Sequence, residues 1–348
     1  MATTDAKGVL VRNLGLYSFT FLIALLATGL FMVIMRYDPW IGLSTLMATS
    51  FRTSFGFWET VQKFIPLLLT TYTFSITYKI RLFNIGGLGQ MQIGGIGAMI
   101  VAMELGHLPS FLVIPFAFLA AAIGGGGYGM IAGWIWNKYS INPIISTVML
   151  RFISTYLVLF TVSLERYADP IGGHPMTSTL PAAGVLPYWG KVPSWILVAL
   201  VAIVFVYLLM RRTVLGYKIE ASGMNPNASA IYGIRAPGIV LASFFLAGAM
   251  AGMGGATQVM GVQHRLIDGF ALTSGAEFST FGILTSLVAG GDPVAVPITA
   301  FLMSVLLVGA DAMQRTMNIP VEMVFLMQAI LVLLMVTLRG EMERRRHP

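Results

Sequence analysis

The sequence predicts an all-α polytopic membrane protein of about ten transmembrane helices in two halves of inverted topology. Of its 348 residues, 57% are hydrophobic and 10% charged, with a mean hydropathy of +0.82. A soluble domain carries about 25% charged residues. The apolar residues fall in continuous runs approaching the ~20 residues a helix needs to cross a bilayer, whereas a transmembrane barrel would alternate over segments of about ten. Two Gly-rich, polar stretches interrupt these runs, one in each half, after spans of opposite direction, as an inverted repeat requires.

The runs cover roughly residues 16–36, 60–79, 86–104, 109–134, 142–163, 194–210, 237–260, 276–290, 294–311 and 320–338. The chain reads as one transmembrane domain over 1–348. A first helix and interfacial segment occupy 1–58, a first half 60–163, an internal loop 211–235 and a second half 237–338. The run after "MATTDAKGVLVRN" is too long for a signal-peptide core and lacks a small-residue cleavage site, so a retained first helix is expected.

Positive charge sets the orientation. Lys79, Arg81, Lys138, Arg211, Arg212, Lys218, Arg235 and the arginines at 339 and 344–346 fall on one side and outnumber those on the other, which places both termini in the cytoplasm. The net charge of +7 is therefore a property of loops, and a nucleic-acid partner is not expected. On the outside, residues 38–59 suit the membrane interface, and the Pro- and Gly-rich residues 165–193 form an ordered loop or a docking surface.

The absence of Cys excludes disulfides and thiolate chemistry. The four His are isolated, so no metal is expected, and no G-x-x-x-x-G-K-[ST] is present to hydrolyse ATP. No nucleophile–base constellation marks a membrane-embedded enzyme.

The stretch "RLFNIGGLGQMQIGGIGAM" (81–99) carries Asn84, Gln90 and Gln92 where lipid should be the solvent. Gly87, Gln90, Gly94 and Gly97 share one helical face, which lets another backbone approach closely. Asn84, with Gly86 and Gly87, breaks a helix or begins one at membrane depth, which is tolerated only inside protein or beside a wet cavity. In the second half Gly248 and Gly252 precede a polar stretch ending at Glu277 and Phe278. Arg151, Glu277 and Asp311 are the ionisable residues nearest the membrane interior; for Glu277 and Asp311, near span ends, solvated or salt-bridged structural roles are expected. In the internal loop, Asn225-Pro226 signals a short helix carrying Ala228, Ser229, Ala230 and Ile231 and stopping at Gly233. It is either a plain connection or a knob for another protein's groove.

Three of these stretches, "PLLLTTYTFSITYKIRLFNIGGLGQMQIGG", "INPIISTVML" and "LGYKIEASGMNPNASAIYGI", together with the ending "GADAMQRTMNIPVEMVFLMQAILVL", resemble the ABC-importer permeases for simple sugars and nucleosides, over nearly the whole chain beyond residue 60. The resemblance implies a permease subunit of a prokaryotic cytoplasmic (inner) membrane. Its partners would be a second permease, expected to be a paralogue in a heterodimer, an ATP-binding subunit and an extracytoplasmic substrate-binding protein. ATP and Mg would be bound by the partner ATPase, with no cofactor in this chain. The internal knob becomes a coupling segment to the ATPase, with Glu220, Gly223, Asn225, Pro226, Ala228, Ser229 and Gly233 as its residues. Leu88 stands where the family often has an acid, and "MNPNAS" lacks two acidic residues of the family's coupling knob.

On this reading the substrate pathway is formed by Phe83, Asn84, Gly86, Gly89, Gln90, Gln92, Glu277 and Phe278. Neutral amides suit an uncharged, hydroxyl-rich solute. Phe83 and Phe278 add aromatic surface for a base, which favours nucleosides over simple sugars. An ion-coupled secondary transporter, using Glu277 and Asp311, is the alternative class.

Overall fold

A computed structural model describes residues 32–171, 173–270, 272–273 and 276–320, with residues 23, 26, 29–30, 326, 329–330, 333 and 337 beyond them; for 272–273 and 276–277 it describes the backbone alone. Most of the expected first and last spans, and the terminal arginines, lie outside the described residues.

Residues expected along the interface form α1 (Pro39–Arg52). Asp38 caps it, accepting from the Trp40 and Ile41 N–H groups at 2.8 and 3.2 Å, with Pro39 in the first turn. The next helix, α2 (Ser54–Lys79), starts earlier than the expected residue 60 because Thr53 Oγ1 accepts from the Gly56 N–H at 3.0 Å and supplies a cap. The first half continues with α3 (Gly87–Glu104), α4 (Ser110–Tyr139) and α5 (Pro143–Val162), the last capped by Asn142.

An external loop with a small hairpin, β1 (Tyr188–Trp189) and β2 (Val192–Pro193), leads to α6 (Ile196–Arg212). The chain then bends by 67° into α7 (Val214–Met224), followed by α8 (Pro226–Ile231). Helix α9 (Ala236–Ala256) runs on as a π-helix, Thr257–Gln263. A second hairpin, β3 (Leu272–Thr273) and β4 (Ala276–Glu277), precedes α10 (Phe278–Ala289) and α11 (Ala295–Met317). Glu277 therefore belongs to a strand, one residue before the helix it was expected to begin.

The chain is an all-α polytopic membrane protein. Among the described residues, α4, α5, α9 with its π-helix, and α11 are long and apolar enough to cross a membrane, and α6 with α7 qualify as a bent pair. Helices α2 and α3 do not meet that test. They carry Thr70, Thr71, Thr73, Ser75, Thr77, Gln90 and Gln92, all buried in protein, so lipophilic surface is not demanded of them. The most apolar window of α9 is 72% buried and that of α11 78%, against 28% for α4 and α5, whose exposed faces display Phe111, Leu119, Phe152 and Phe160.

Close approach of α3, α4 and α9 builds the centre. A methyl group on Gly94 would collide with the Gly252 backbone, one on Gly252 with the Ala121 carbonyl, and one on Gly125 with the Gly248 carbonyl. The glycine face of α3 thus serves several partners: Gly94 meets α9, Gly87 meets Ser279 of α10, and Gly97 meets Ala120 of α4.

The connections alternate between the two ends of the bundle. At the end where α2, α6 and α10 finish, Arg211 pairs with Asp292 at 3.0 Å and Lys79 with Glu220 at 3.6 Å. At the end where α3, α5 and the π-helix finish, Arg166 pairs with Glu104, and Arg265 with Asp169 at 3.1 Å. Lys63 pairs with Asp311 between α2 and α11, so the salt-bridged role expected of Asp311 is the one it has.

Candidate functional site

The break between α2 and α3 is built from amides. Arg81 takes a positive φ of 57°, the chain leaves helical geometry, and α3 resumes at Gly87. Asn84 Oδ1 accepts from the Gly86 N–H at 3.1 Å, turning the backbone into the helix. The Asn84 and Gln90 carboxamides then pair reciprocally: Asn84 Nδ2 donates to Gln90 Oε1 and Gln90 Nε2 to Asn84 Oδ1, both at 3.1 Å. The two residues are 1% and 2% exposed, yet each retains an N–H that the pair does not use.

Gly86 and Gly89 let α3 lie against α5. A methyl group on Gly86 would come 2.9 Å from Thr147 Cβ, and one on Gly89 2.8 Å from Ser154 Oγ. Gln92 is on the same side: its Oε1 accepts from Ser154 Oγ at 2.7 Å and Thr155 Oγ1 at 3.3 Å.

Phe83 and Phe278 are not brought together. Phe83 is 40% exposed and packs edge-on to Phe74 and Tyr78, with centroids at 5.6 and 5.9 Å. Phe278 is buried, and its carbonyl accepts from Thr70 Oγ1 at 3.1 Å. Glu277 pairs through its backbone with Leu272, and its side chain lies outside the description.

Phe83 also lines a cleft of about 460 Å³ with Tyr78, Lys79, Arg81, Glu220, Gly223, Met224 and Gly290. The cleft opens beside the contact between the end of α2 and α7. Gly223 abuts the Lys79 carbonyl so closely that no side chain fits there, and Glu220 reaches Lys79 Nζ at 3.6 Å. Asn225 Oδ1 caps α8 by accepting from the Ala228 N–H at 3.0 Å, with Pro226 in the first turn, and Gly233 ends the turn at φ 78°. Ser229 is buried and its carbonyl accepts from the Ile234 N–H, whereas Ile231 and Tyr232 project, 84% and 85% exposed. Sequence reasoning missed Lys79 as the partner of Glu220 and Tyr232 as part of the knob. An apolar pair just before the loop's Gly233 was the available signal for Tyr232.

The family described as branched-chain amino acid transport system, permease component, matches residues 56–336. The chain belongs to this permease family. The permease is 28% identical to the glucose ABC transporter permease protein of Haloferax volcanii, over 91% of this chain and 86% of that one. It is 26% identical to the nucleoside ABC transporter permease protein of Lactococcus lactis, over 87% and 85%, and 27% identical to the guanosine ABC transporter permease protein of Bacillus subtilis, over 90% of each. The resemblance read from the sequence is thus the family the chain belongs to. As an ABC permease component it is an integral membrane transport subunit, and membership implies an ATPase and a substrate-binding protein as partners.

Proposed function

We propose that this permease imports a small uncharged polar solute, nucleosides first, by alternating access driven by ATP on a separate subunit. ATP and Mg are held by that partner. A second, paralogous permease completes the pathway, and both chains lie in the cytoplasmic membrane of a prokaryote with both termini inside. Each has about ten helices in two inverted halves.

The contact of Gly223 with the Lys79 carbonyl carries the mechanical part of this reading. Helices α7 and α8 form the segment that an ATPase would engage, through Glu220, Gly223, Asn225, Pro226, Ala228, Ser229 and Gly233. Displacing that segment pushes on the end of α2, which leads within five residues to Asn84. The Asn84–Gln90 pair is then the element that opens: its amides exchange each other for solute hydroxyls without requiring a counter-charge. Phe83, Gly86, Gly89, Gln92, Glu277 and Phe278 complete the proposed pathway.

Two relatives named for nucleosides or guanosine, and the exposed ring of Phe83, support nucleosides. The relative named for glucose supports simple sugars as the second reading. Competition between labelled guanosine and glucose for uptake into ATP-loaded vesicles holding the complete importer separates them. Saturable guanosine import that glucose does not compete with is expected. Import that collapses on adding a protonophore, with internal ATP held constant, would refute ATP-driven transport in favour of ion coupling.

A further inference from the structure

The buried carboxamide of Gln258 is left over from the packing described above. Gln258 stands in the π-helix and is 5% exposed. Nearby, Thr257 Oγ1 donates to the Gly254 carbonyl at 2.7 Å and Gln263 Nε2 to the Phe270 carbonyl at 3.1 Å, while Gln263 Oε1 and His264 Nδ1, at the far end of the π-helix, are also buried without a partner. The other buried carboxamides, of Asn84, Gln90 and Gln92, are engaged as well. That of Gln258 makes no hydrogen bond among the described residues. A buried amide offers two donors and an acceptor, and native folds seldom leave such a group unmatched without a use for it.

The backbone at this place is irregular on both sides of a helix contact. A π-helix departs from the i to i−4 ladder, and such segments are frequent at functional sites. Just before it, a methyl group on Gly254 would lie 3.6 Å from Leu69 Cβ and 3.7 Å from the Pro66 carbonyl of α2, while Gly255 abuts the Met91 carbonyl of α3. Pro66 has no N–H to give the Gln62 carbonyl one turn earlier. Facing stretches of α2 and α9 thus bring an unmatched amide and a carbonyl deprived of its usual helical donor to one part of the bundle. The π-helix, TQVMGVQ, has no ionisable side chain, which suits an uncharged partner.

We infer that Gln258 is a solute-contacting residue, hydrogen-bonding the hydroxyl or ring-amide groups of an uncharged solute as it passes α2, α3 and α9 toward the Asn84–Gln90 pair; this rests on the importer reading above. Neither the glycine periodicity nor the inverted-repeat signal selects this residue.

The test uses the complete importer, with its partner permease, ATPase and binding protein, in ATP-loaded vesicles. Uptake of labelled guanosine and glucose is compared for wild type, Gln258→Met and Gln258→Asn, and the melting temperature of each purified complex is recorded. Methionine removes the amide at similar volume. Gln258→Met is expected to assemble and to melt at or above wild type, because an apolar group replaces an unmatched amide. Its uptake should fall about tenfold, the equivalent of one hydrogen bond lost at the transport barrier, and Gln258→Asn should recover part of it. Undiminished uptake by Gln258→Met, with wild type importing, overturns the inference alone. So does a Gln258→Met complex that melts lower or dissociates, since that marks a packing role. A wild-type complex that imports neither solute overturns the importer reading for both, and this inference with it.

Discussion

Asn84 and Gln90 hold each other through two reciprocal hydrogen bonds of 3.1 Å across the first turn of α3. Six residues apart, they cannot meet along one regular helix. They meet because the chain turns at Gly86, and the pair closes that turn. Buried in protein, each amide is the other's substitute for water.

Removing one member leaves the other unmatched. Asn84→Leu or Gln90→Leu should each lower stability by about 1–3 kcal/mol, and the double variant should lose less than the sum. Melting of the purified protein in detergent measures this. Uptake should fall in both single variants while membrane insertion persists; normal uptake in both would remove the pair from the pathway.

Gly94 and Gly252 test the packing of α3 on α9. Alanine at either position places a methyl group inside a neighbouring backbone. Overpacking of this kind costs about 1–3 kcal/mol, and more where both sides are rigid. The yield of monodisperse protein should drop for both, whereas Gly127→Ala, with open space around it, should behave as wild type.

Gly223 separates coupling from binding. Gly223→Val should force α7 off the Lys79 carbonyl and abolish uptake, while the assembled complex continues to hydrolyse ATP without transport. Glu220→Gln should be mild, because a half-exposed ion pair contributes about 0–1 kcal/mol. The ratio of solute imported to ATP hydrolysed is the measurement, and an unchanged ratio in Gly223→Val would argue against the coupling role.

His264 gives a pH dependence of known sign. Its Nδ1 is buried without a partner, and burial, aided by Arg265, holds the imidazole below its ordinary pKa of 6.5. The unfolded chain therefore binds the proton more readily than the folded one. The stability this group contributes is complete above pH 6.5 and is lost as the pH falls below it. Melting temperature should decline on acidification in wild type and decline less in His264→Gln.

Much of the fold was legible because bilayer physics acts directly on sequence. Apolar runs place most of the described helices within a few residues, and Asn225-Pro226 announces α8. The misjudged boundaries have local causes: the Thr53 cap starts α2 early, and β4 keeps Glu277 out of α10. The glycine face of α3 was visible as a periodicity, but its division among α4, α9 and α10 was not, since a one-dimensional pattern does not name its partners.

The sequence by itself determined that this chain crosses a membrane as helices, which residues are too polar to face lipid, and which permease family it belongs to. Only the tertiary structure decided where those polar residues find their hydrogen bonds. It joins Asn84 to Gln90, Gln92 to Ser154 and Lys79 to Glu220, and it leaves Gln258 unmatched. The reason is physical: solvation by lipid is a property of each residue and can be read locally, whereas hydrogen-bond satisfaction inside the bundle depends on which backbones can approach, and at Gly94, Gly223 and Gly252 that is set by atoms far away in the chain.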